Sequence, residues 1–157
     1  MYRPSRAQLP TEVGDMGKSP GHQKWPDHKV HEARANQRVT VQINGQLVAD
    51  SNDVIRVDED GSPPRYYFPR ADVRMDWLER TATSSECPFK GTAQYFSLRT
   101  GGHTLDDAVW SYEDPYDEHR SLKERLAFYD DKYRDLHVAS DSQASQGRNP
   151  LPFGRGN

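Results

Sequence analysis

Cys87 and Lys90 are the side chains in this sequence that could most readily take part in a reaction. They lie three positions apart in the run Cys87-Pro88-Phe89-Lys90-Gly91. A cysteine attacks an electrophilic carbon as the thiolate, and a nearby cation favours that form. Lys90 would supply the cation and steady negative charge on a ligand. The alternative is structural: Cys87 is a small buried apolar residue, as free cysteines often are, and Lys90 points to solvent. The residue types alone favour this structural alternative.

A nucleophilic cysteine also needs a base, and histidine is the usual side chain for that role. The candidates are His103, His119 and His137, together with His22 and His28 if the N-terminal segment folds back. The sequence brings none of them next to Cys87, so the identity of the base stays open.

Two aromatic runs predict the wall of a ligand pocket. Side chains alternate across a strand, so Tyr66 and Phe68 share one face while Tyr67 takes the other. Trp110 and Tyr112 likewise share a face. Each ring taken singly is explained by core packing, but charged residues interleave with the rings at the strand ends.

The charged residues beside these rings are Arg70, Asp72, Arg74 and Lys90. Together with the rings they predict a pocket for a small, partly anionic ligand. Tyr66, Phe68, Arg70, Asp72, Trp110 and Tyr112 are therefore the candidate ligand-binding residues.

A metal site is not expected. His22, His28 and His31 match no common zinc spacing, and the chain has a single cysteine. The sequence does not identify a cofactor.

Composition excludes several classes of partner. The 157 residues carry a net charge of -3, so no long-range positive field attracts nucleic acid. No apolar run is long enough to span a bilayer, and we expect no membrane partner. The single cysteine excludes an intramolecular disulfide and favours a reducing compartment such as the cytoplasm. The oligomeric state cannot be read from the sequence.

The chain divides into three parts. Residues 1–36 and 140–157 are rich in polar residues, Pro and Gly without periodicity, which predicts a flexible leader and a disordered tail. Residues 37–139 form one domain of ordinary size.

Within the domain the hydrophobic period is two. Asn44-Gly45 lies between alternating runs and predicts a tight hairpin, and Gly101-Gly102 predicts a second one. Further strands are expected at residues 54–57, 65–68 and 132–138.

Two short helices complete the prediction, one capped by Asp72 with Trp77 facing the core, and one after Asp117 with Leu122, Leu126 and Tyr129 on one face. The fold class is mainly β, a twisted antiparallel sheet curling into a barrel-like or half-open architecture.

Three blocks resemble the family of the domain of unknown function 427. They are residues 64–73 (PRYYFPRADV), residues 87–91 (CPFKG) and Trp110-Ser111-Tyr112 with Pro115, in matching order and spacing. The resemblance extends from about Val39 to Val138, and residues 19–28 are similar to a leader found in some members. It implies a compact, mainly-β domain without an established general activity.

The same family is sometimes filed under nucleotidyltransferases, which makes that activity a further alternative. Nucleotidyl transfer needs a Gly-Ser turn for the triphosphate and then an acidic pair for metal ions. Here Asp58 and Asp60 come before Gly61-Ser62, and this order disfavours it.

Two functional hypotheses follow. The first is a small-molecule-binding domain, which in its catalytic form is an enzyme that uses Cys87 and Lys90 beside the aromatic pocket. The second is a non-catalytic interaction module in which Cys87 is structural.

Overall fold

The computed structural model describes residues 17–141. In chain order the elements are α1 Pro20–Lys24, β1 Val30–Arg34, β2 Val39–Ile43, β3 Gln46–Ser51, β4 Ile55–Glu59, β5 Arg65–Tyr67, the 3-10 turns Arg70–Asp72 and Met75–Trp77, β6 Leu78–Cys87, β7 Gly91–Thr100, β8 His103–Tyr112, the 3-10 turn Asp117–Leu122, β9 Leu126–Phe128 and β10 Leu136–Ser140.

The strands form three antiparallel sheets, ordered β9-β8-β7-β6, β10-β2-β3 and β1-β4-β5. A bridge between Phe68 and Leu126 connects the end of β5 to β9. The predicted mainly-β, half-open architecture is confirmed. Within residues 17–141, every helical segment is too short to cross a bilayer.

Both predicted hairpins are confirmed. Asn44 and Gly45 have φ angles of 50° and 81°, and they join β2 to β3. Gly101 and Gly102 join β7 to β8. Positive φ at both central residues gives the turn a twist that matches that of the flanking strands. The strands predicted at 54–57, 65–68 and 132–138 are also found, with shifted ends.

The helix predicted after Asp72 is wrong in extent. Two single 3-10 turns occupy residues 70–77, and the chain then enters the ten-residue strand β6. Asp72 caps no helix, because its carboxylate accepts a hydrogen bond from Ser51 Oγ at 2.6 Å. Trp77 does pack against the core, as predicted.

The helix predicted through Leu122, Leu126 and Tyr129 is also wrong. A 3-10 turn ends at Leu122, and Glu124 adopts a φ of 63°, which ends helical geometry. Leu126 then enters β9, whose three residues are all buried. An apolar strand buried on both faces shows no alternation of apolar and polar residues. The four-residue spacing of Leu122 and Leu126 therefore resembled the spacing of a helix.

The predicted flexible leader does not hold for residues 17–36, which contain α1 and β1. Val30–Arg34 pair with Ile55–Glu59, so this segment belongs to the fold. Its strand was missed because Val30 is the only large aliphatic residue in it. The mainly polar edge strand β6 was missed for the same reason. Residues 1–16 and 142–157 lie outside the described part of the chain.

The core has two clusters, one on either side of β5 and β9. Phe68, Leu126 and Phe128 belong to the first cluster, whereas Tyr67 and Ala127 belong to the second. This alternation confirms that Tyr66 and Phe68 share one face and that Tyr67 takes the other. The second cluster contains the site described next.

Candidate functional site

A cavity of about 140 Å³ lies beside the second core cluster, and we call it the aromatic cavity. Strands β4, β5, β7 and β8 contribute to its wall, because side chains that point to the same side of neighbouring strands converge there. The lining residues are Val57, Glu59, Ser62, Pro63, Arg65, Tyr67, Lys90, Tyr95, Trp110, Tyr112 and Tyr129. The site therefore combines five aromatic rings with three charged side chains.

Lys90 and Glu59 form the charged pair of the cavity. Lys90 is only 5% exposed, and its Nζ is hydrogen-bonded to Glu59 Oε1. The second oxygen, Glu59 Oε2, lies 2.9 Å from His28 Nε2. Burial opposes ionisation of Glu59, but the hydrogen bonds from Lys90 and His28 outweigh it and hold the pKa of this carboxyl below its usual range. Glu59 is therefore an ionised bridge between the cavity and the N-terminal segment.

Tyr67 and Tyr112 are the most deeply buried phenols of the cavity, with exposures of 1% and 7%. The Trp110 indole N–H donates to Tyr67 Oη at 3.1 Å. Tyr112 Oη has no hydrogen-bond partner among residues 17–141, and neither does the hydroxyl hydrogen of Tyr67. Burial raises the pKa of both hydroxyls. Both groups are thus protonated and able to donate.

Arg65 lies at the rim of the cavity. Its guanidinium lies 5.1 Å from the Trp110 ring and 5.2 Å from the Tyr129 ring, and it pairs with Asp131. Burial raises the pKa of Tyr129 to about 12. The ion pair and the two ring contacts hold Arg65 in place over the aromatic wall.

Residues 17–29, which we call the N-terminal strap, cover the loop between β6 and β7. The Gly21 N–H donates to the Pro88 carbonyl at 2.7 Å, and a Cβ at Gly21 would lie 2.6 Å from that oxygen. His28 stacks on Phe89 with ring centroids 4.1 Å apart. An open groove of about 730 Å³ runs between the strap and this loop, beside the half-exposed Trp25. The strap thus packs directly on the block that contains Lys90.

A second polar cluster, formed by His22, Glu32 and His119, connects the strap to the rest of the domain. His119 is buried; its Nδ1 is hydrogen-bonded to Glu32, and its Nε2 lies 2.9 Å from His22 Nε2. Burial lowers the pKa of His22, and the neighbouring His119 lowers it further. The His22–His119 hydrogen bond needs one neutral ring nitrogen as acceptor, so it is weakened when both rings are protonated.

Among the sequence-predicted site residues, Lys90, Trp110 and Tyr112 line the aromatic cavity. Cys87 is partly buried and packs against the second cluster, but it is outside the cavity lining. Within the described residues, the Cys87 thiol has no hydrogen bond to a histidine or to Lys90, whose amine is bound by Glu59.

The other predicted binding residues lie elsewhere. Tyr66 lines a separate hollow with Arg56, and Phe68 is fully buried in the first cluster. Arg70 donates to Glu113 and to the Glu124 carbonyl, and Asp72 binds Ser51. The structure therefore does not bring these four side chains to the aromatic cavity.

Sequence reasoning missed Tyr67, Glu59 and His28. Tyr67 was assigned to the face opposite its neighbours, and that face is the one that lines the cavity. Glu59 ends β4 beside an acidic turn, and a glutamate in such a position is ordinarily exposed to solvent. A buried lysine needs an anionic partner, but the burial of Lys90 is known only from the structure, so the sequence carried no signal for Glu59.

The remaining histidine candidates have other partners or positions. His103 is within hydrogen-bond distance of Asn44, and His137 is exposed on β10. In the described part of the chain, no group of three or more His, Cys, Asp or Glu side chains could hold a metal ion. Asp58 pairs with Arg56, and Asp60 accepts from the Lys29 N–H.

Comparison with protein families gives one finding. The family described as Domain of unknown function (DUF427) matches residues 32–139. This range begins inside β1 and ends inside β10, so it includes most of the folded body and all residues that line the aromatic cavity. A comparison with curated proteins gives no match.

Proposed function

The chain belongs to the family of the domain of unknown function DUF427, and because that description names no activity we propose a function from the cavity: the domain binds a small molecule there. The observation that carries the proposal is the buried Lys90 ammonium in the wall of a cavity with five aromatic rings. Concave sites that combine aromatic side chains with a few converging polar groups are typical of small-molecule binding.

The size of the cavity limits the ligand. Its volume of about 140 Å³ is similar to that of an engineered apolar cavity of about 150 Å³ that binds benzene. We infer a ligand of about one six-membered ring with a short polar substituent. A nucleoside triphosphate is far larger, so nucleotidyl transfer gains no support from this cavity.

The proposal concerns binding and does not depend on the Cys87 thiol. Catalysis by Cys87 and Lys90 would require the thiol to reach a ligand in the cavity, and Cys87 is outside the lining. The Cys87→Ala variant is therefore expected to keep ligand binding, whereas Lys90→Met is expected to weaken it. A Cys87→Ala variant that loses binding would show that the thiol contacts the ligand, as the catalytic form of the hypothesis requires.

The chain offers a direct test because it has three tryptophans, at positions 25, 77 and 110, and only Trp110 lines the aromatic cavity. Each indole N–H gives one signal in a ¹⁵N–¹H correlation spectrum. A panel of ring-sized fragments is expected to contain a binder that shifts the Trp110 signal and leaves the Trp77 signal unchanged. The same binder is expected to raise Tm.

Two variants complete the test. Trp110→Ala is expected to abolish the rise in Tm, and Trp77→Ala, which removes a ring outside the cavity, is expected to preserve it. A binder that shifts only the Trp25 signal would place the ligand in the groove at the strap and contradict the proposal. Silence across the panel would favour the alternative, a non-catalytic interaction module.

A further inference from the structure

The polar groups of the aromatic cavity are predominantly donors. Tyr67 and Tyr112 each have a hydroxyl hydrogen without an acceptor in the described chain. Lys90 has three ammonium hydrogens, and Glu59 is the one acceptor bonded to Nζ among residues 17–141. A buried donor without an acceptor costs free energy, so a ligand that brings acceptor oxygens is favoured.

Charge points the same way. Two cations, Lys90 and Arg65, and one carboxylate, Glu59, line the cavity, and Arg65 is paired with Asp131 outside the lining. Glu59 already receives hydrogen bonds from Lys90 and His28, so it offers little to a cationic ligand. A ligand carboxylate can therefore meet the Lys90 ammonium, whereas the one carboxylate of the lining is already hydrogen-bonded and is not available to a cationic ligand.

We propose that the cavity accepts a small monoanionic aromatic acid, whose carboxylate receives hydrogen bonds from the hydroxyls of Tyr67 and Tyr112 and from the ammonium of Lys90. This inference rests on the proposed function and adds the ligand class. A carboxylate supplies two oxygens and about four acceptor positions, enough for all three donors. The ring of the acid lies against Trp110 and Tyr129, which form the apolar wall.

Tyr112 is the residue on which the proposal can be tested most cleanly. Its hydroxyl has no partner in the described residues, so Tyr112→Phe removes a ligand contact without breaking a hydrogen bond of the fold. Tyr66→Phe is the matched control, because Tyr66 neighbours Tyr67 in sequence but lies outside the cavity.

The experiment uses three probes with the same ring: benzoate, neutral benzamide and cationic benzylammonium. Binding is measured at pH 7 by titration of the Trp110 indole signal. Benzoate is expected to bind at least about tenfold more tightly than benzamide, and benzylammonium is expected not to bind. Tyr112→Phe is expected to weaken benzoate about tenfold, while Tyr66→Phe leaves it unchanged.

The outcomes separate the two proposals. If benzamide or benzylammonium equals or exceeds benzoate in affinity, the ligand class is wrong while cavity binding stands. If benzoate binds to Tyr112→Phe as tightly as to the unaltered chain, the assigned recognition is wrong. If no probe shifts the Trp110 signal, this inference is overturned, and a silent fragment panel would then overturn the proposed function too.

Discussion

The ammonium of Lys90 is held by the carboxylate of Glu59 in the wall of the aromatic cavity. The same carboxylate binds His28 of the N-terminal strap at 2.9 Å. One side chain thus connects a cavity residue on the loop before β7 with a segment about 60 residues earlier in the chain. Because the pair is buried, removal of one partner leaves an uncompensated buried charge and lowers the free energy of unfolding more than it would for a solvated ion pair.

Breaking this pair is expected to destabilise the fold. Lys90→Met leaves Glu59 ionised and partly buried with only His28 as partner, so the free energy of unfolding should fall by about 3 kcal/mol. In the double variant Glu59→Gln/Lys90→Met the loss should be clearly less than the sum of the single losses.

Urea unfolding measures the free energy of unfolding of each variant. Lys123→Met, at an exposed position, is the control with an expected change below about 0.5 kcal/mol. Additive losses would show that the pair contributes no coupling.

The two buried phenols should respond in opposite directions to loss of the hydroxyl. Tyr67→Phe removes the acceptor of the Trp110 indole N–H, which should lower the free energy of unfolding by about 2 kcal/mol. Tyr112→Phe removes a buried hydroxyl that has no partner in the described chain, which should raise it by about 1 kcal/mol. Chemical denaturation of both variants measures the difference. Equal losses for the two would mean that Tyr112 Oη has a partner after all.

Docking of the strap should weaken on acidification. Burial and His119 lower the pKa of His22 in the folded chain, His28 and Lys90 act in the same direction, and Glu118 opposes them. In the unfolded chain His22 takes up a proton near pH 6.5, whereas in the folded chain it takes one up only at a lower pH. The contribution of His22 to stability is therefore complete above about pH 6.5 and declines as pH falls below it.

Hydrogen exchange of the α1 amides between pH 7.5 and 5.5, corrected for intrinsic rates, measures this effect. His22→Gln should reduce the pH dependence of protection, and His137→Gln, at an exposed position on β10, should retain it. Protection that does not change between these pH values would count against the His22–His119 contact as the cause.

Iodoacetamide should distinguish the two roles considered for Cys87. Lys90 is bound by Glu59, and the thiol packs against the second core cluster. We therefore expect labelling of the folded chain to be much slower than that of the urea-unfolded chain at pH 8, and negligible at pH 6. Mass spectrometry of the labelled peptide measures both rates. Rapid labelling of the folded chain at pH 6, slowed by Lys90→Ala, would instead support a nucleophilic Cys87.

The sequence by itself determined the fold class and the hairpins, because these depend on local chemistry. Alternating apolar residues predict strands, and Asn44-Gly45 specifies a tight turn whatever surrounds it. The sequence also indicated Lys90, Trp110 and Tyr112 as site residues, and all three line one cavity.

Only the tertiary structure decided which aromatic face lines the cavity and which charges lie beside it. Alternation separates Tyr67 from Tyr66 and Phe68, but it does not say which face meets β8, and the structure places Tyr67 in the lining of the cavity and the other two outside it. Likewise, His28 and Glu59 are 31 residues apart, and they meet only because β1 pairs with β4. Contacts made by strand pairing over long separations depend on the packing of the whole chain and leave no local pattern in the sequence.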